Sequence, residues 1–120
     1  MEERLRFIPH RGKTILLIDM SHGSKQDLLI LLGQIKAVIT EQPRDSVLAL
    51  ADFTGAQVDK EVATRIKEVL VFDRPFVKRA AWVGTDDLPH VFYENFKTFS
   101  RRDLPSFKTR EEALDWLAAD

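Results

Sequence analysis

Apolar positions along this chain follow two rhythms that take turns. TILLID (14–19) and SVLALADF (46–53) carry apolar residues at consecutive positions, and VKRAAWVG (77–84) reads as a third core strand. Such runs predict strands covered on both faces, because a strand covered on one face would alternate. Between them, apolar residues recur every three or four positions. The first such stripe is Leu28, Leu31, Leu32, Ile35, Val38 and Ile39, and the second is Val58, Val62, Ile66, Val69 and Leu70. Phe92, Phe96 and Phe99 form a third, and Ala113, Leu114, Trp116 and Leu117 a fourth. These predict four amphipathic helices.

Punctuation residues set the boundaries. Leu5–Pro9 and Lys13–Asp19 read as two strands joined by His10-Arg11-Gly12, a hairpin-length connection. Ser24 is predicted to cap the first helix, with Asp27 completing a capping box, and Pro43 enforces its end. The second helix should stop before Arg74-Pro75. Asp86 or Asp87 is expected to cap the third, with Pro89 in its first turn. A short strand near Leu104–Phe107 precedes Thr109-Arg110-Glu111-Glu112, a second capping box worth about 1 kcal/mol. The order predicts one α/β domain over 1–120. Its sheet is mixed and mostly parallel, with an N-terminal antiparallel hairpin strand, right-handed crossovers and four helices.

Composition narrows the function classes. The 120 residues suit a single core, and the net charge of -1 supplies no field toward nucleic acid or an acidic membrane. Cysteine is absent, which removes disulfides and thiolate chemistry. The longest aliphatic runs, Ile15–Ile18 and Leu28–Leu32, fall well short of the roughly 20 residues of a transmembrane helix. The charged start MEERLRFIPHRGK is unlike a signal peptide, so a cytoplasmic protein is expected.

In an open parallel sheet, ligands and partners meet the loops at the carboxyl ends of the strands. Three segments share that rim: Asp19-Met20-Ser21-His22-Gly23-Ser24, Asp52-Phe53-Thr54-Gly55 and Gly84-Thr85-Asp86-Asp87. Their acids, hydroxyls and glycines are also what caps and turns require. The neighbouring helix starts are expected to offer free N–H groups to an anion. His22 beside Ser21 and Asp19 suggests a catalytic triad, but no G-x-S-x-G elbow accompanies it. His10, His22 and His90 are scattered, and neither a zinc pair nor a nucleotide-binding glycine motif is present, so no metal or cofactor is expected. A phosphoacceptor receiver domain would match Asp52 and Thr85. Against it, Asp19 stands alone, no lysine is expected to follow the last short strand, and four parallel-type strands fall short of five.

Two surface features add candidates. Lys97, Arg101, Arg102, Lys108 and Arg110 lie among Phe96, Phe99 and Phe107, an interleaving that can bind single strands or headgroups, though the charge balance disfavours it. Leu29, Ile30, Val71, Phe72 and Tyr93 are apolar beyond the core stripes. They suggest a homodimer contact, or a pocket for a lipid-like ligand using Phe92, Tyr93 and Phe96.

LADFTGAQVD, RPFVKRAAWVG, YENFKTFSRRDLPSF and TREEALDWL, in this succession, resemble the SpoIIAA-like branch of the STAS superfamily, whose small bacterial members are often labelled STAS/SEC14-like. The resemblance implies the fold just described and a non-enzymatic regulatory or protein-interaction module with a protein partner. In anti-sigma factor antagonists of this group, a serine at the start of the second helix is phosphorylated. The matching stretch here is Gln57-Val58-Asp59-Lys60-Glu61, which has no hydroxyl, so phosphoswitching there is not expected. Asp59 would cap the helix instead, with Thr54 a second candidate acceptor. The expected working edge is therefore Asp19, Ser21, His22, Asp52, Thr54, Gly55 and Asp59.

Overall fold

A computed structural model describes residues 4–100 and 104–119. The chain runs β1 (Leu5–His10), β2 (Lys13–Asp19), α1 (Lys25–Ile39), β3 (Val47–Asp52), α2 (Lys60–Phe72), β4 (Val77–Val83), α3 (His90–Ser100), β5 (Ser106–Phe107) and α4 (Arg110–Ala118). Strand order in the sheet follows chain order, β1-β2-β3-β4-β5, with β1 antiparallel to β2 and the other pairs parallel. The expected mixed α/β architecture is the observed one.

That order explains the layers. Each parallel crossover steps one strand in the same direction, so crossovers of one hand place α1, α2 and α3 on one face. Their buried residues Leu28, Leu31, Ile35, Val62, Ile66 and Phe96 join Leu16, Ile18, Ala49 and Trp82 in the larger core. The opposite face carries Ile15, Leu17, Leu48, Leu50, Ala81 and Val83, and α4 covers it through Ala113 and Leu117. Both faces are thus buried over Ile15–Ile18 of β2 and along β3, the reason for the unbroken apolar runs 15–18 and 47–51.

Local chemistry sets the element ends. Arg11 (φ 50°) and Gly12 (φ 79°) occupy the left-handed region, as a two-residue hairpin turn requires. Ser24 Oγ accepts from the Asp27 N–H at 3.2 Å and the Asp27 carboxylate accepts from the Ser24 N–H at 3.2 Å, a complete capping box. Asp59 caps α2 by accepting from the Val62 N–H at 2.9 Å, which puts Val58 ahead of the helix rather than on its stripe. At α4, Thr109 Oγ1 accepts from the Glu112 N–H at 3.2 Å, while the Glu112 carboxylate receives the Thr109 hydroxyl at 3.1 Å.

One boundary differs from expectation. Asp86 and Asp87 do not cap α3. They lie in a single 3-10 turn, Thr85–Asp87, and α3 begins after Pro89 at His90. Gly84, in the left-handed region at φ 75°, precedes the turn, and no side chain caps it.

The larger core holds a cavity of about 50 Å³ lined chiefly by aliphatic side chains, including Leu32, Ala51, Ile66, Val69 and Val77. Phe53, Tyr93 and Phe96 surround Trp82 with ring centroids at 4.6, 5.8 and 5.6 Å. The Tyr93 hydroxyl donates to the Leu104 carbonyl at 2.6 Å, anchoring the segment that leads into β5.

Candidate functional site

Asp19 and Asp52 end adjacent parallel strands and are register partners. With a side-chain period of two, Asp19 lies on the face of Ile15 and Leu17, and Asp52 on that of Leu48 and Leu50, so both aim toward α4. Like charges directly opposite one another are destabilising, more so when desolvated, and Asp52 is only 5% exposed. The first residue of α4 supplies the compensation. Arg110 Nε donates to Asp52 Oδ2 at 2.6 Å, and Arg110 Nη2 meets Asp19 Oδ1 at 2.9 Å. Each acid is also held by the hydroxyl residue two positions later. Ser21 Oγ and N–H donate to Asp19 Oδ1 at 2.5 and 3.1 Å, and Thr54 Oγ1 and N–H donate to Asp52 Oδ1 at 2.7 and 3.0 Å. The pattern Asp-apolar-Ser/Thr therefore occurs twice, side by side, clasped by one guanidinium.

Burial pushes the Asp19 carboxyl upward, but the Ser21 hydroxyl and N–H, together with Arg110, outweigh it and hold the group below its usual range. Burial likewise works against the charge on Arg110, and the Asp52 and Asp19 carboxylates overcome it, raising its value. Asp59 is held low by the Val62 N–H and by Lys25, whose Nζ lies 3.0 Å from Asp59 Oδ2 and 3.0 Å from Glu61 Oε1. That cluster ties the first turn of α1 to the first turn of α2.

The three rim loops are bonded to one another. The Met20 N–H donates to Asp52 O at 2.9 Å, His22 N–H to Thr54 O at 2.8 Å, and Gln57 N–H to Gly23 O at 3.1 Å. Phe53 N–H donates to Val83 O at 2.8 Å, and Gly55 N–H to Asp87 Oδ2 at 2.7 Å. Gly55 (φ 66°) faces the His22 ring so closely that any Cβ would collide with it, and a Cβ at Gly84 would strike the Thr54 backbone. The rim is a continuous, interlocked ledge.

Sequence reasoning groups Asp19, Ser21, His22, Asp52, Thr54 and Gly55, and the structure places these six on the ledge, with Asp59 beside them at the start of α2. Phe92, Tyr93 and Phe96 are elsewhere, on the opposite side of the sheet from Arg110, with Tyr93 and Phe96 against Trp82 and Phe92 stacked on Phe96. The triad suggested by Ser21, His22 and Asp19 does not assemble: the Ser21 hydroxyl bonds Asp19 directly, and the His22 ring lies against Gly55. At three of the helix starts a side chain already takes one N–H group: Ser24 from Asp27, Asp59 from Val62 and Thr109 from Glu112.

Arg110 is the residue that sequence reasoning misplaces, by grouping it with a basic surface. The structure divides that group between the two sides of the sheet. Lys97 lies on α3, 3.3 Å from Glu94 and over the Tyr93 ring, whereas Arg110 belongs to α4. Arg101, Arg102 and the Phe99 side chain lie outside the described residues. A lysine does follow the last strand, because β5 ends at Phe107 and Lys108 comes next. The receiver pattern gains no reactive carboxylate from it, since Arg110 and Thr54 already hold the two oxygens of Asp52.

No helix among the described residues is long and apolar enough to cross a membrane. No family model, curated protein or solved structure matches the chain.

Proposed function

We propose that this protein is a non-enzymatic interaction module of the SpoIIAA-like, STAS kind, acting in the cytoplasm by docking a protein partner on the ledge. The observation that carries this reading is the double clasp of Asp19 and Asp52 by Arg110. It turns the rim's most buried acids into a brace for the loops instead of reactive groups. Interlocked loops present a preformed surface, and a preformed surface loses little entropy on binding. Exposed His22, the glycine backbone at Gly55 and half-buried Thr54 form its outer skin. With Asp59 fixed as a permanent anion at the start of α2, partner binding here needs no phosphoryl transfer to that position. The interior cavity of about 50 Å³ is far below the roughly 300–1,000 Å³ of small-molecule pockets and is not lined by Phe92, Tyr93 or Phe96, whereas the groove of about 450 Å³ lined by Leu29, Leu32, Val69 and Phe72 lies within that range.

Affinity capture from native lysate tests the reading when run with matched variants. His22→Asp alters the ledge and keeps a residue that tolerates a left-handed backbone. Arg65→Asp changes an exposed position on α2. The expected result is one protein recovered with the native chain and with Arg65→Asp, and lost with His22→Asp. Equal recovery by all three places the partner elsewhere.

A further inference from the structure

We infer that β1 is the joining edge of a homodimer, in which two copies pair their β1 strands antiparallel about a two-fold axis at Phe7 and merge their sheets. The inference stands apart from the ledge reading, because it uses the other margin of the sheet. β1 is an outermost strand, paired on one side to β2. The Asp19 N–H donates to the Arg4 carbonyl, and the register runs Arg6↔Leu17, Ile8↔Ile15 and His10↔Lys13. In an antiparallel ladder bonded and non-bonded pairs alternate, so the even residues of β1 direct their backbone groups at β2. Leu5 and Phe7 then direct an N–H and a C=O outward, and Pro9 a C=O alone, along the outer edge of the sheet.

The side chains favour a second copy as the occupant. Phe7 is 42% exposed at the middle of this edge, on the side of the sheet where Leu5 packs under α1. Ile30 of α1, 58% exposed, lines the groove that Leu5 also lines. An axis at Phe7 sets Phe7 against the partner's Phe7 and Leu5 against the partner's Pro9. It sets Arg6 against the partner's Ile8, which leaves the two exposed Arg6 residues as diagonal neighbours about 7–8 Å apart rather than directly opposite. Arg4 and His10 also come opposite. Each is already turned onto its own chain, Arg4 to the Asp19 and Ser21 carbonyls and His10 to Asp115. Phe7 can exchange both main-chain bonds with the partner's Phe7, and each Leu5 N–H can reach a Pro9 carbonyl. Pro9 has no N–H to return, which limits the pairing but leaves its central bonds intact.

The chain has no cysteine, so a single introduced thiol reads the register directly. Cα atoms of a bonded antiparallel pair lie about 5.5 Å apart, inside the roughly 4.4–6.8 Å range of disulfides. Under mild oxidation Phe7→Cys is expected to cross-link to itself. Leu5→Cys is not, because the two Leu5 positions fall about 14 Å apart along the strands at ~3.4 Å per residue. Mixing Leu5→Cys with Pro9→Cys chains is expected to restore cross-linking, and this arm leaves Phe7 in place. Sedimentation of the native chain should show its mass rising with concentration from 13.8 kDa toward twice that value, and Phe7→Lys should stay monomeric. A native chain that stays monomeric at every concentration overturns the inference. So does cross-linking of Leu5→Cys as efficient as that of Phe7→Cys, which would mean another register or random collision.

Discussion

Removing the Arg110 guanidinium strands two carboxylates at once. A fully buried pair broken on one side costs about 3–5 kcal/mol. Arg110 is 35% exposed, so solvent screening should reduce the loss for Arg110→Met to about 2–3 kcal/mol at pH 7. Acid works in opposite directions on the two proteins. In the native chain Asp19 is held below its usual value, so its contribution is complete above about pH 4 and is lost as pH falls through the folded value. In the variant Asp19 loses the Arg110 charge that helps hold its carboxyl low, so it takes up a proton more readily, which relieves the repulsion. The gap between the two urea midpoints should therefore be narrower at pH 4 than at pH 7, and a constant gap would contradict the clasp. Two glycines give a second comparison. Gly12 (φ 79°) has open space where a Cβ would sit, so Gly12→Ala should lose only the left-handed penalty of about 1–2 kcal/mol. Gly84→Ala meets the Thr54 backbone as well and should lose about 2–4 kcal/mol. The acids, hydroxyls and glycines of the ledge were legible in the sequence because strand ends and turns advertise them. Arg110 was not, since its partners lie 58 and more residues away in the chain and nothing local distinguishes it from a solvated cation.

At the scale of elements, α4 is held at both ends. Arg110 fixes its start, and its final turns carry Asp115 within 2.7 Å of His10 Nε2 and 3.2 Å of Arg11 Nε. Arg79 lies 3.8 Å over the Trp116 ring and donates to the Ala119 carbonyl at 2.9 Å. The short helix leans on these ties and on its cap. Thr109→Ala should cost about 1 kcal/mol, and thermal melts with circular dichroism would register it. Ending the chain before Thr109 removes the cover from Ile15, Leu17, Leu48 and Leu50. Such a protein should bind a hydrophobic dye such as ANS and lose its sharp unfolding transition. The strands and four helices could be read from periodicity because both rhythms are strong. The start of α3 could not, because an acid pair followed by proline also fits a 3-10 turn, and Asp87 is drawn instead to the Gly55 N–H, a contact 32 residues away in the chain.

For the whole molecule, packing leaves room for improvement. Val77, 3% exposed, borders the interior cavity, so Val77→Ile should fill part of it and raise stability by about 0.5–1 kcal/mol. A loss would mean that the space is closed to that side chain. The agreement of sheet order with chain order has a further consequence, for the history of the fold. Every strand after the first adds beside one already in place, so the three-helix side can consolidate progressively while the far side of the sheet still faces water. The last helix is then expected to shut that side and bring Arg110 to Asp19 and Asp52 in one event. Trp82 sits in the early half and Trp116 in the late one. In refolding experiments with each tryptophan replaced singly by phenylalanine, emission from Trp82 should settle before that from Trp116, and raised salt should delay only the second.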